Sequence, residues 1–121
     1  MINVKDKVYV ALQTVFDNVS DVYPTNWGIL PALQYCEEDN KVVEWTDDKE
    51  QKSYVRFRVD VWDQASTTKA ALDVDKAISK LGLKRTMCAD VEDPSHLKHK
   101  VMRYEAVLEE IEDGEIFVYH Q

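Results

Sequence analysis

Cys88, His96 and His99 fall in one short stretch as C-x7-H-x2-H. These are the residue types that bind zinc when neutral imidazoles and thiolates converge tetrahedrally. The spacing matches no common zinc site, so both histidines are read as surface or hydrogen-bonding side chains. Cys36 or Cys88 with a histidine could form a Cys–His nucleophile pair, but nothing in the sequence orients or activates one. Carboxylates are plentiful, yet general acid–base work needs burial or like-charge crowding to shift a pKa. The acids here cluster where hairpin tips are expected. Gly28, Gly82 and Gly114 are the only glycines and lie far apart, so no glycine-rich loop cradles a phosphate. The sequence therefore offers no catalytic residue, no metal site and no cofactor site, and an enzyme is not expected.

The charge is concentrated. Across 121 residues, 15 Lys and Arg face 23 Asp and Glu, a formal charge of −8. Residues 37–50 hold Glu37, Glu38, Asp39, Glu44, Asp47, Asp48 and Glu50 against Lys41 and Lys49, net −5. Residues 109–115 hold Glu109, Glu110, Glu112, Asp113 and Glu115 with no base, also −5. The other 100 residues carry +2. An acidic total excludes a general nucleic-acid binder, whose footprint is basic. Each acidic segment reads either as a solvated hairpin tip or as a surface facing something to be repelled or attracted, such as passing DNA or a basic partner.

A hydrophobic fraction of 45% with 3 Gly and 3 Pro excludes a disordered chain. The length suits a single domain, residues 1–121. No apolar run reaches the roughly 18 residues of a membrane span. The start, Met1-Ile2-Asn3-Val4-Lys5-Asp6, does not read as a secretory leader. Cys36 and Cys88 are accordingly expected to be reduced and mostly buried.

The elements follow from periodicity. Val4, Val8, Leu12, Val15 and Val19 share one helical face, which predicts a helix over residues 4–18 with Asn3 as its cap. Residues 22–23 and 31–37 are strand candidates. Glu38-Asp39-Asn40 reads as a turn, residues 41–46 as a returning strand, and residues 47–50 as a further turn. From residue 54 to 62, Val55, Phe57, Val59 and Val61 alternate with Tyr54, Arg56, Arg58, Asp60 and Trp62, the clearest strand of the chain. Ser66-Thr67-Thr68 opens a second helix through Ala71, Val74, Ile78 and Leu81, closed by Gly82. Residues 83–91 are extended, 92–95 form a loop, and residues 101–111 and 116–119 are strands about an Asp113-Gly114 turn. The order predicts an α+β fold: a mainly antiparallel sheet with two helices packed on one face.

Four segments in order resemble the tail terminator, or tail completion, proteins of long-tailed bacteriophages. They are Leu30-Pro31-Ala32-Leu33-Gln34-Tyr35-Cys36-Glu37-Glu38-Asp39-Asn40; Val55-Arg56-Phe57-Arg58-Val59-Asp60-Val61-Trp62; Ala77-Ile78-Ser79-Lys80-Leu81-Gly82-Leu83-Lys84-Arg85-Thr86; and His99-Lys100-Val101-Met102-Arg103-Tyr104. Members often end soon after the Arg-aromatic strand, whereas here an acidic segment of residues 109–119 follows.

The resemblance implies a tail-terminator-like domain that assembles as a ring of six at the head-proximal end of the tail tube. It would end tube polymerisation and offer a surface for head joining. Implied partners are further copies of itself, the tail tube protein, the head connector protein and, in a contractile tail, the sheath protein. DNA would pass nearby without specific binding, and no membrane is involved. The protein would be made in the host bacterial cytoplasm and reside in the virion neck. A cyclic ring needs two different complementary patches per subunit. The polar face Tyr54, Arg56, Arg58, Asp60 and Trp62 is one candidate, because Arg and aromatic residues favour interfaces; a neighbour's acidic patch would be its counterpart. One acidic segment (Glu37, Glu38, Asp39, Asp47, Asp48, Glu50, or Glu109, Glu110, Glu112, Asp113, Glu115) would line the lumen, where a basic wall would hold DNA. The rivals are a head–tail connector ring of the neck, an acidic DNA-mimic inhibitor, and a small hydrolase using Cys88, His96 or His99.

Overall fold

The computed structural model describes residues 2–46, 49–110 and 116–119. In chain order its elements are α1 (Lys5–Gln13), β1 (Asn18–Ser20), β2 (Ala32–Thr46), β3 (Lys49–Asp63), α2 (Thr68–Ser79), β4 (Lys84–Val91), β5 (Lys98–Glu110) and β6 (Ile116–Tyr119). The strands make one sheet in the order β1-β2-β3-β5-β4, and β6 pairs with β5 beyond the end of β4. β1 and β2 are parallel; every other pair is antiparallel. This is the expected α+β class.

The period-2 pattern of β3 builds the core. Val55, Phe57, Val59 and Val61 are fully buried, beside Leu33 and Tyr35 of β2 and Met102, Tyr104 and Leu108 of β5. Both helices close over this face. α1 contributes Val8 and Leu12, and α2 contributes Ala70, Ala71, Val74 and Ile78. The small alanines let α2 sit close to the strands. Tyr104 is buried to its hydroxyl, which donates to Asp75 Oδ1 of α2 at 2.9 Å. Burial first, and then that bond, push its phenol far above the ordinary tyrosine range. Gly82, after α2, has φ 91°, the left-handed cap its sequence position predicts.

Several local expectations are corrected. α1 stops at Gln13 rather than continuing to residue 18. Thr14 Oγ1 donates to the Ala11 carbonyl, Phe16 turns into the core, and Val19 leaves to pair with Leu33 in β1–β2. Val15 stays exposed. Asn3 does not cap the backbone: its amide donates to Asp6 Oδ2 at 3.1 Å, and the cap position is Val4. Residues 22–23 form no strand, and Tyr23 packs edge-on against Trp27 and Trp62.

Glu38-Asp39-Asn40 is not a turn. β2 runs straight through it, with a bulge between Glu37 and Asp39. The Asn40 amide donates to the Ile2 carbonyl at 2.8 Å and ties the N-terminal segment to β2. Of the turn expected at residues 47–50, Lys49 and Glu50 belong to β3, opposite Thr46 and Trp45. Asp47, Asp48, and the Asp113-Gly114 turn with Glu112 and Glu115 lie outside the described residues. β5 and β6 flank that turn with Glu110 opposite Ile116. β5 begins at Lys98, ahead of the expected start at residue 101, and so takes in His99.

Phe57 is fully buried where both helices meet the central strand. Phe57→Ala should cost about 3–5 kcal/mol in urea unfolding. A loss below about 1 kcal/mol would mean that this face is not the core.

Candidate functional site

The second face of the sheet carries no helix. β3 presents Tyr54, Arg56, Arg58, Asp60 and Trp62 there, as their alternation predicts. Register aligns them with Cys36 and Asp39 of β2 and with His99, Val101, Arg103, Glu105 and Val107 of β5.

The bulge projects Glu38 onto this face, where its carboxylate meets three guanidinium groups. Arg103 donates from Nε at 2.9 Å and Nη2 at 3.4 Å; Arg58 Nη1 lies at 3.5 Å and Arg56 Nε at 3.3 Å. Glu38 keeps only 15% of its side chain exposed, and the arginines 41%, 32% and 33% for Arg56, Arg58 and Arg103. Burial works against the Glu38 anion. The Arg103 bond and the charges of Arg103, Arg56 and Arg58 outweigh it and hold the carboxyl below the usual glutamate range. In return, the bond to Glu38 holds Arg103 more firmly protonated.

The polar chain continues toward the β4–β5 connection. Arg58 Nε donates to Asp60 Oδ1 at 2.9 Å. Asp60 Oδ2 is 2.8 Å from His99 Nε2, and His99 Nδ1 is 3.4 Å from Asp93 Oδ1. Asp93 also accepts from Trp62 Nε1 at 3.1 Å and from the amide and hydroxyl of Ser95. The Ser95 hydroxyl is the first cause that lowers the Asp93 pKa. The His99 ring stacks on Trp62 with centroids 4.3 Å apart, and Tyr23 and Trp27 close over the indole at 5.6 and 5.5 Å.

This geometry sorts the candidate residues. Asp60 and Trp62 are 7% and 2% exposed, so little of either side chain is left at the surface. The β1–β2 connection with Tyr23 and Trp27 and the β4–β5 connection with Asp93 together cover one part of the face, which neither loop sequence alone reveals. Arg56 and Arg58 find an acidic counterpart in Glu38 of their own chain. Tyr54 donates to Glu105 and lies under Lys41, whose ammonium is 5.0 Å from the ring centroid. Arg103, Asp93 and His99 are site residues that the polar-face reading missed. The signal for His99 and Arg103 was their shared parity with Val101 in one strand, visible once β5 starts at Lys98.

Cys36 is half-buried and Cys88 exposed, and both are free thiols, which corrects the expectation that both are buried. Among the described residues, no group of three His, Cys, Asp or Glu side chains could hold a metal. His96 adopts a positive φ of 68° in the loop before β5 and is not joined to Cys88 and His99 in such a group. Among the described residues, no helix is long and apolar enough to cross a membrane.

Of the acidic candidates, Glu37 and Asp39 are half-buried in β2 and Glu109 is half-buried in β5. Glu50 lies in β3 and Glu110 at the end of β5. The register sets Lys52 of β3 opposite Glu109, so the far ends of the β2–β3 and β5–β6 pairs occupy the same end of the sheet. Glu50 of β3 and Glu109 and Glu110 of β5 therefore lie toward one end of the sheet, while Glu37, Glu38 and Asp39 lie near its middle. No protein-family model matches the chain, and no curated protein matches it.

Glu38→Gln should lower stability by about 1–3 kcal/mol at neutral pH, less than a fully buried pair because the arginines are partly hydrated. The folded pKa of Glu38 lies below its unfolded value. Its contribution is complete above the unfolded value and is lost as pH falls through the folded one. Denaturant curves of both proteins should converge on acidification. A gap of constant size would assign the loss to packing instead of charge.

Proposed function

We propose that this chain is a structural subunit of a bacteriophage tail neck, a tail terminator whose ring closes the head-proximal end of the tail tube and receives the head. One observation carries the reading. Three of the four segments that resemble the family converge on a single network: Glu38 from the first, Arg56, Arg58, Asp60 and Trp62 from the second, and His99 and Arg103 from the fourth. Residues that would look unrelated along the chain are one bracing unit in space. The third segment supplies the α2 end, Gly82, and β4, whose Arg85 pairs with Asp75 at 3.2 Å.

The proposed role asks for rigidity and complementary surfaces, with no bond made or broken. The Asp–His–Asp array fits that demand. Its imidazole lies between two carboxylates, and the Ser95 hydroxyl donates to Asp93 and not to the imidazole, so the array braces two strands and a loop. The end of the sheet that holds Glu50, Glu109 and Glu110 would give a ring one acidic rim or wall, past which DNA slides without the counterion release that binds it to a basic one.

Electron microscopy of particles made without the gene tests the role. The expected result is abnormally long tails, or tails detached from filled heads, with tube and head proteins still made. Normal, joined virions would overturn it.

A further inference from the structure

Among the described residues the sheet ends in two edges that carry no further strand, although the Asn40 amide on β2 holds the Ile2 carbonyl of the N-terminal segment. β1 covers β2 only at residues 32–34. From Tyr35 to Thr46, no described strand pairs with the outer side of β2. On the opposite side β4 pairs only with β5, and β6 pairs with β5 just beyond it, so β6 and β4 together form the other edge. Unpaired backbone donors and acceptors along an edge are a template for a further strand. β4 is also largely exposed: Lys84, Arg85, Thr86, Cys88, Asp90 and Val91 all reach solvent.

The two edges match. Reading register across four strands, Asp39, Arg56, Glu105 and Lys84 lie in one row, alternating in sign. The adjacent row is Glu37, Phe57, Tyr104 and Arg85. β2 and β5 run one way, β3 and β4 the other. A second copy in the same orientation therefore brings its β2 antiparallel to the first copy's β4. At equal level, Asp39 of one copy meets Lys84 of the next, and Glu37 meets Arg85, so the alternation of charge continues across the contact. Further along, Lys41 and Val42 of β2 are level with Tyr119 and Val118 of β6. Asp39 and Lys84 have no side-chain partner among the described residues, while Arg85 also pairs with Asp75. Val42 and Val43 stand exposed on the β2 edge.

We propose that a second copy of this chain docks the β2 edge, residues 35–43, antiparallel on the β4 edge, residues 84–87, with Asp39–Lys84 and Glu37–Arg85 fixing the level. The contact is head-to-tail: each copy gives one edge and receives the other, so repetition closes a ring or grows a filament. It names the subunit contact of the proposed ring and rests on that reading for closure, while the edges and their charges are properties of the chain itself.

Sedimentation velocity and native mass spectrometry of the full chain across concentration test it, with Asp39→Lys, Lys84→Glu and their equal mixture. Both positions lie on strand edges, and circular dichroism with thermal melting confirms that each variant folds. The wild type should associate, and each variant alone should associate about ten-fold more weakly or worse, because like charges then face each other. The mixture should recover wild-type association with the variants alternating one to one, since every contact again pairs opposite charges. A wild type that stays monomeric at every concentration overturns the proposal and assigns the Glu38 bulge to guarding the edge. Variants that assemble like wild type, or a mixture that fails to recover, overturn it as well. No phage component enters the assay, so its outcome is separate from the neck role: assembly untouched by the variants removes the edge contact and leaves the ring, whereas joined virions without the gene remove the role and leave the edges.

Discussion

One carboxylate holds the uncovered face of this sheet together. Glu38 is placed among Arg56, Arg58 and Arg103, from two neighbouring strands. Without it, three guanidinium groups would crowd one another beside the centre of the sheet, a repulsion that cross-strand like charges always bring. With it, they become a brace joining β2, β3 and β5. The bulge makes this possible, because the extra residue re-aims one side chain while the strand continues. The rest of the second face follows from that placement. Arg58, fixed by Glu38, reaches Asp60; Asp60 holds His99; and His99 with Trp62 anchors Asp93 and its loop.

The two faces thus do different work. The helix-covered face supplies the apolar burial that makes the domain stable, through Phe57, Tyr104 and the α1 and α2 side chains packed on them. The other face is polar but internally neutralised, so little free charge faces outward at its centre. Free charge is left at the margins, with Asp39 on one edge and Lys84 on the other. A domain built this way is braced in the middle and keeps its unpaired charges at its rim.

Much of this was legible in the sequence, for reasons of period. The strict alternation from Tyr54 to Trp62 and the Ala71-Val74-Ile78 spacing before Gly82 specify their elements because burial acts on every second or every third to fourth residue. The expectations that failed are those where a side chain's partner lies far along the chain. Glu38-Asp39-Asn40 has turn composition, but pairing with Val55, Arg56 and Phe57 of β3 carries the strand through it, and Arg103, 65 residues later, closes on Glu38. Val15 and Val19 keep the helical period after α1 has ended, because Phe16 and the pairing of Val19 with Leu33 win over local propensity. His99 looked like a loop histidine because its two partners, Asp60 and Asp93, come from separate parts of the chain. The acidic segments were visible as composition, but that Glu50, Glu109 and Glu110 share one end of the sheet is a fact of register alone.

The central claim is that a braced sheet with two complementary edges continues from one copy of the chain into the next. Electron cryomicroscopy of the assembled chain measures this most directly. The account predicts a closed ring in which the sheet is unbroken between subunits, with β2 of each copy antiparallel to β4 of its neighbour and Asp39 beside Lys84. A ring joined through the helices, or one in which the β2 and β4 edges both face solvent, would contradict it.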